Sequence, residues 1–349
     1  MKKIVLTLVQ LIVTAAVLYW VFHDPEKRAK MAEALRAADF RWIGAAILAY
    51  FVVEVAAALR WHVLLKVQGI HLSLPRVGGL FTIGFFFNQF LPGGTGGDIV
   101  KSYLLMKETP GRVGAALLSV LFDRLIGLVA IVVITGTLIG LRYDFLSRTP
   151  ETRALLWTLL AILGFSIASL LSTFVITGFK LLGRLPAAFP GREKLIELST
   201  AYHLYARHWG ATAMAFGLSV VAHLATFTTF LFVAYAFRAP IAAVDFFAIM
   251  PIERTISSLP ISFAGVGVRE HILQVMLSNL TAVPAAVAVL IGSMSFFVML
   301  VCAAPGGIVY LLYRPSGAKG AVSISDMERE VTNLDPGIVA KAGDAPAAQ

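Results

Sequence analysis

Asn88-Gln-Phe-Leu-Pro-Gly-Gly-Thr-Gly-Gly-Asp-Ile-Val-Lys-Ser-Tyr-Leu-Leu105 stands where an apolar run should be crossing a membrane. The run breaks at Leu91-Pro92, passes through Gly93, Gly94, Gly96 and Gly97, and restarts at Asp98 with Lys101 three residues on. Proline and glycine remove a backbone donor and helical constraint there. Inside hydrocarbon such a break is tolerated only where protein buries it or a polar cavity receives it. The stretch therefore predicts the working site of a membrane protein.

The rest of the composition agrees with a membrane class. Of 349 residues, 58% are hydrophobic and 14% charged, with a mean hydropathy of +0.82. Soluble domains carry roughly 25% charged residues. The net charge of +9 does not point to nucleic acid, because the basic residues are spread over loops between apolar spans. Such loops orient a membrane protein and meet anionic lipid heads. A lone cysteine, Cys302, excludes an intramolecular disulfide.

A spanning helix needs about 20 apolar residues. Continuous runs of that kind are 4–22, 43–59, 113–141, 154–178, 211–237 and 285–313. The first follows Met1-Lys2-Lys3 and shows no small-x-small cleavage site, so a retained helix is expected rather than a signal peptide. Two further apolar stretches, 77–105 and 241–281, are interrupted and read as broken or re-entrant. The fold class is thus an all-α polytopic membrane protein with six to eight transmembrane helices. Residues 23–42 and 179–210 mix charge with helically spaced apolar residues, as interfacial helices do. With the N-terminus inside, inside segments hold 17 Lys and Arg and outside segments 11, which places both termini in the cytoplasm. A transmembrane domain over 1–314 and a disordered polar tail over 315–349 complete the expected layout.

The order span, span, broken segment, span describes residues 4–141 and again 154–313. Leu91-Pro92 with Gly96 and Gly97 has its counterpart in Leu259-Pro260 with Gly265 and Gly267, 168 residues later. Three full spans per half is an odd number, so the second half is predicted to be inverted. Paired interrupted helices in an inverted repeat are the best sequence-level pointer to a transporter's binding site.

Ionisable residues in spans usually face a cavity or a partner. Asp123-Arg124 lies within 113–141, and adjacent helical residues point about 100° apart. Each should pair with a group on another helix, either to fix packing or to serve the site. In the second half Glu253-Arg254 precedes Ser257-Ser258-Leu259-Pro260-Ile261-Ser262, and Arg269-Glu270 follows Gly265 and Gly267. Arg269 falls where a half-helix restarts, with free N–H groups and partial positive charge for an anion. Lys101 holds the matching place after the first break, and Asp98 is suited to N-cap that half-helix. Together they would hold an anionic head group between the halves; snorkelling to the interface is the alternative for either alone. Arg60-Trp61-His62 reads as a boundary anchor, Glu54 as a deeper partner for Arg124 or Arg254, and Asn88 as a hydrogen-bonding support for freed backbone.

Enzyme signatures are missing where they would show. The glycine run has no Gly-Lys-Ser/Thr ending, the seven histidines have no zinc spacing, and no Gly-x-Ser-x-Gly elbow occurs. No cofactor or metal is expected. A membrane-embedded head-group transferase would need a base near a break, for which Asp98, Glu253 or Glu270 would serve.

Three motifs carry a resemblance: Asn-x-x-Leu-Pro-Gly-x-x-Gly-Gly-Asp at 88–98, Asp-Arg-x-x-Gly at 123–127, and Ser-x-Leu-Pro-Ile-Ser-x-x-Gly-x-Gly-x-Arg-Glu at 257–270. They resemble the lysylphosphatidylglycerol synthase transmembrane-region family over about residues 1–315. Lys101 stands where many relatives have arginine. The family includes members associated with hopanoid synthesis and the N-terminal flippase part of the multiple-peptide-resistance factor. The resemblance implies a bacterial inner-membrane protein and a lipid translocator for an anionic phospholipid or lipid-linked substrate. Non-catalytic partnership with a lipid-synthesis enzyme is the remaining alternative. Lysyl transfer is not implied, because in the resistance factor that chemistry belongs to a soluble C-terminal domain and only about 35 polar residues follow the last span here. Substrate would then touch Asn88, Pro92, Gly96, Gly97, Asp98, Lys101, Pro260, Ser262, Gly265, Gly267, Arg269 and Glu270, with Glu54, Asp123, Arg124, Glu253 and Arg254 as gating or ion-pair residues.

Overall fold

The computed structural model describes residues 12, 14–15, 19, 23–90, 96–178, 204–259 and 261–313. Most of the expected span 4–22, residues 179–203 of the second interfacial segment, Pro92, Pro260 and the tail 315–349 lie outside them. Among the described residues are ten α-helices, one 3-10 turn and no strand. The first helix, α1 (Pro25–Arg36), starts where Asp24 accepts the N–H groups of Glu26 and Lys27 and Pro25 opens the first turn. Asp39 caps α2 (Phe40–Val67) in the same way, so Phe40 begins the first long helix instead of ending the interfacial one.

Then follow α3 (Leu74–Phe90), α4 (Gly96–Glu108), α5 (Val113–Leu146) and α6 (Pro150–Gly178). The second set is α7 (Trp209–Ala236), α8 (Ala243–Ser257), a 3-10 turn (Phe263–Gly265), α9 (Val268–Leu280) and α10 (Ala285–Leu312). Long helix, short helix, break, short helix, long helix occurs twice. Among the described residues five helices are long and apolar enough to cross a membrane: α2, α5, α6 (over Pro150–Ala168), α7 and α10. At 1.5 Å per residue α2, α7 and α10 run about 42 Å, while α3 and α4 run only about 25 and 20 Å.

The short pairs do not cross. Arg76 pairs with Glu108, Gly84 lies against Gly97 and Lys101, and Asn88 Oδ1 accepts the Gly97 N–H at 2.9 Å. Contacts that close in step from 76/108 to 88/97 define an antiparallel helical hairpin that returns to its own side. Glycine makes this approach possible: a Cβ on Gly97 would sit 1.8 Å from the Gly84 carbonyl oxygen. The second hairpin, α8–α9, turns through Ala264 (φ 51°), Gly265 (φ 74°) and Gly267 (φ 86°). There Gly265 packs so closely on the Ser257 carbonyl that a Cβ would lie 2.7 Å from it. Counting each broken segment as a full pass is thereby excluded.

The repeat is inverted. The equivalent helices α2 and α7 form the most extensive packing in the molecule and run antiparallel. Asp39 N–H donates to the Ala236 carbonyl at 2.9 Å, Trp42 stacks near Phe232 and Tyr235, and Arg60 reaches Ser219. Packing between halves is reciprocal, α3 on α10 and α8 on α5, as a two-fold relation requires. The first hairpin leaves from the end of α2 and the second from the end of α7, so they enter from opposite faces. Gly306 of α10 seats α3, because a Cβ there would meet the Thr82 carbonyl oxygen at 2.2 Å. Outward apolar residues such as Leu48, Phe51, Phe165 and Leu311 are exposed, as they are on a lipid-facing surface.

Candidate functional site

The first hairpin opens a cavity of about 190 Å³ among α2, α3, α4 and α5, lined by Arg60, Phe81, Gly84, Phe85, Asn88, Asp98, Lys101, Asp123 and Arg124. Three cations face two carboxylates. The inner group is Asp123, whose Oδ1 accepts from Arg60 Nε at 2.7 Å and whose Oδ2 accepts from Lys101 Nζ at 3.4 Å. Arg60 also donates to Ser219 Oγ of α7 at 3.1 Å. Lys101 Nζ lies 4.5 Å from the Trp61 ring centroid, a cation–π contact in a desolvated place. Removed from water, two cations and a carboxylate hold one another only while all three are present.

The outer group is Asp98, whose Oδ2 accepts from Arg124 Nε at 2.5 Å and whose Oδ1 lies 3.9 Å from Lys101 Nζ. The Arg124 side chain is 51% exposed and Asp123 5%. The cavity thus passes from a wet outer pair to a dry inner trio. Asp98 sits inside the first turn of α4, which begins at Gly96, and its carboxylate holds basic side chains where an N-cap role was expected. Arg60 and Trp61 are no boundary anchor either: Trp61 is fully buried, donating to Ser119 Oγ at 3.3 Å. The apolar run ends at Leu59, but α2 continues to Val67, which draws Arg60 inward to its partner on α5. The depth of that arginine was the missed signal. Glu54 is not the partner of Arg124, which Asp98 takes.

The second hairpin builds a different cluster. Glu253 is fully buried, Arg269 and Glu270 are each 2% exposed, and Arg269 Nε stands 3.6 Å from Glu253 Oε1. Arg269 Nη2 donates to the Ala264 carbonyl at 3.1 Å, and its guanidinium lies over the Phe296 ring at 4.8 Å. Glu270 Oε2 accepts the Gly267 N–H at 2.6 Å and its Oε1 accepts from Ser293 Oγ at 3.4 Å, closing the first turn of α9. Ser262 is buried beside the turn, whose Phe263 N–H donates to Thr14 Oγ1 at 2.8 Å. Arg254 acts on Glu253 as a charge and also lies with its guanidinium 5.9 Å from the Phe230 ring centroid. Arg269 and Glu270 do not line the first cavity; the hairpins meet where the 3-10 turn lies against α3. A third cluster, missed in the sequence, ties the far ends together: Tyr313 and Arg76 both donate to Glu108 Oε1, joining α3, α4 and the end of α10. Burial and this hydrogen bond push the Tyr313 phenol above its ordinary range. Among the described residues no group of His, Cys, Asp and Glu has the arrangement of a metal site.

An inverted repeat of long apolar helices with a charged cavity at a re-entrant hairpin defines a polytopic α-helical membrane protein. The chain belongs to the family described as lysylphosphatidylglycerol synthase TM region, whose model matches residues 7–306. It is also 31% identical over 136 residues to UPF0104 membrane protein PH1989 of Pyrococcus horikoshii, a match covering 38% of this chain and 39% of that one.

Proposed function

We propose that the protein moves an anionic phospholipid or lipid-linked substrate between leaflets, with the head group entering the first-hairpin cavity. The observation that carries this reading is the 190 Å³ space lined by three cations, Arg60, Lys101 and Arg124, and two carboxylates, Asp98 and Asp123. A phosphate arriving there competes with two carboxylates for three cations, and the half-exposed Asp98–Arg124 pair is the first it meets. The volume is below the roughly 300–1,000 Å³ of drug-sized ligand pockets, so a head group fits while acyl chains stay in the bilayer. A head-group transferase would need a free base, and here both carboxylates are engaged by cations. The host membrane in this reading is the bacterial inner membrane, with both termini cytoplasmic.

The test uses proteoliposomes carrying fluorescent phosphatidylglycerol or phosphatidylcholine, with leaflet exposure read by a membrane-impermeant quencher. Wild type should expose the anionic lipid faster than the zwitterionic one. Lys101→Gln and Asp98→Ala should each slow it on the order of tenfold or more, about 1.4 kcal/mol per decade. Equal rates for both lipids, or wild-type rates in both variants, would overturn the reading.

A further inference from the structure

We infer that Glu253 is a proton-binding site, and that its protonation state sets whether Arg269 is clamped to α8. Glu253 is 0% exposed, yet among the described residues neither of its oxygens accepts a hydrogen bond. An ionised carboxylate removed from water requires donors, whereas a carboxylic acid can stand with few. The nearest cation repeats the pattern: Arg269 Nε, at 3.6 Å, and Nη1 are buried without hydrogen bonds, and so are the Ser262 and Ser295 hydroxyls. The neighbouring carboxylate behaves oppositely, since Glu270 accepts at both oxygens from Gly267 and Ser293. Of two buried carboxyls beside one buried guanidinium, Glu270 has two hydrogen bonds that hold an anion, whereas the one hydroxyl close to Glu253, that of Ser257, does not reach hydrogen-bond geometry.

Other charges do not fill the gap. From the elements packed on α8, Arg142 of α5 is held by Asp245, and His223 of α7 faces the Gly127 carbonyl. Arg153 of α6 donates to the Ser147 carbonyl, while Glu151 stands with it in that helix's exposed first turn. On α9, His271 interacts electrostatically with Lys27, and Tyr50 of α2 stands near Arg254 and Glu54. Only Arg254, Arg269 and Glu270 act on Glu253 as charges, and Arg254 lies over Phe230.

The chemistry is a single proton exchange with water. With the proton on, Glu253 is neutral and Arg269 rests on the Ala264 carbonyl and the Phe296 face. With the proton off, the carboxylate draws Arg269 Nε across the remaining distance into a charge-assisted hydrogen bond of the usual 2.7–2.9 Å. That pulls the first turn of α9 and the 3-10 turn, which lies against α3, an arm of the first cavity. Coupling of this proton to lipid movement rests on the proposed function; the protonation itself does not.

Two measurements separate these. Infrared difference spectra of the purified full chain on H2O/D2O exchange report protonated carboxylic acid directly. At neutral pH wild type should show that carbonyl band, Glu270→Gln should keep it, and Glu253→Gln should lose it. Absence of the band in wild type, or its loss in Glu270→Gln alone, overturns the inference whether or not lipid moves. In the phosphatidylglycerol proteoliposome assay, an imposed pH gradient should change the wild-type rate at least fivefold, and the Glu253→Gln rate should not respond. Lipid movement in wild type that ignores the gradient overturns the coupling and leaves translocation standing. No lipid movement under any condition fails translocation, and the infrared result then decides the proton site alone.

Discussion

The two hairpins are equivalent by position in the repeat and unlike in chemistry. The first holds its charges in a connected network: Arg60, Asp123 and Lys101 inside, Asp98 and Arg124 outside, around an open volume. The second keeps Glu253, Arg269 and Glu270 buried at its tip, with hydrogen-bonding capacity unmet on Glu253 and Arg269. At the repeat offset of 168 residues Glu253 answers Phe85, which lines the first cavity, so the same place carries an aromatic ring in one half and a carboxyl in the other. A common backbone plan has thus been filled once as a receptacle and once as a sealed polar contact.

Substitutions can break this comparison, and the largest effect should come from the hairpin itself. Gly97→Leu forces side-chain atoms into the Gly84 carbonyl and Asn88. Overpacking against rigid backbone costs at the upper end of about 1–3 kcal/mol or more, so no monodisperse protein should elute from size exclusion in detergent. Gly136→Ala, with nothing within 4 Å of a new Cβ, should elute as wild type.

Next in size is Asp123→Ala, which strands Arg60 and Lys101 in a dry place. Removing one partner of a buried ion group costs about 3–5 kcal/mol, read as a lowered midpoint of thermal unfolding in detergent. Glu253→Gln, by contrast, should change that midpoint by less than about 1 kcal/mol, because the side chain has no hydrogen bonds to lose. Equal losses for the two variants would erase the distinction drawn between the hairpins. Smallest is Arg124→Ala: its half-exposed pair with Asp98 should contribute about 0–1 kcal/mol to stability. Its effect should appear in lipid transfer, and a large fall in stability instead would make the outer pair a packing device.

Much of the plan was legible in the sequence. Five of the six apolar runs form helices long and apolar enough to span, and short helices end at Phe90 and Ser257 and restart at Gly96 and Val268, on either side of the expected breaks, because run length and helix-breaking residues act locally. An inverted repeat was expected from three spans per half; the antiparallel run of α2 and α7 agrees with the inversion, while the span 4–22 in that count lies mostly outside the described residues. Asp123 and Arg124 needing separate partners followed from helix geometry. Less legible were Arg60, whose helix outruns its apolar stretch, and Glu54, whose depth suggested a partner that Asp98 supplies to Arg124 instead.

Apolar length, proline, glycine and charge thus determined from the chain alone that this is a polytopic helical membrane protein with two broken segments that carry charged residues. The tertiary structure decided that each broken segment folds back and that Asp123 takes Arg60 from 63 residues away. It also decided that the halves carry separate clusters instead of one shared site. The reason is physical: a helix break is written in neighbouring residues, but the partner of a buried charge is whichever group the packing of distant helices brings within a few ångströms.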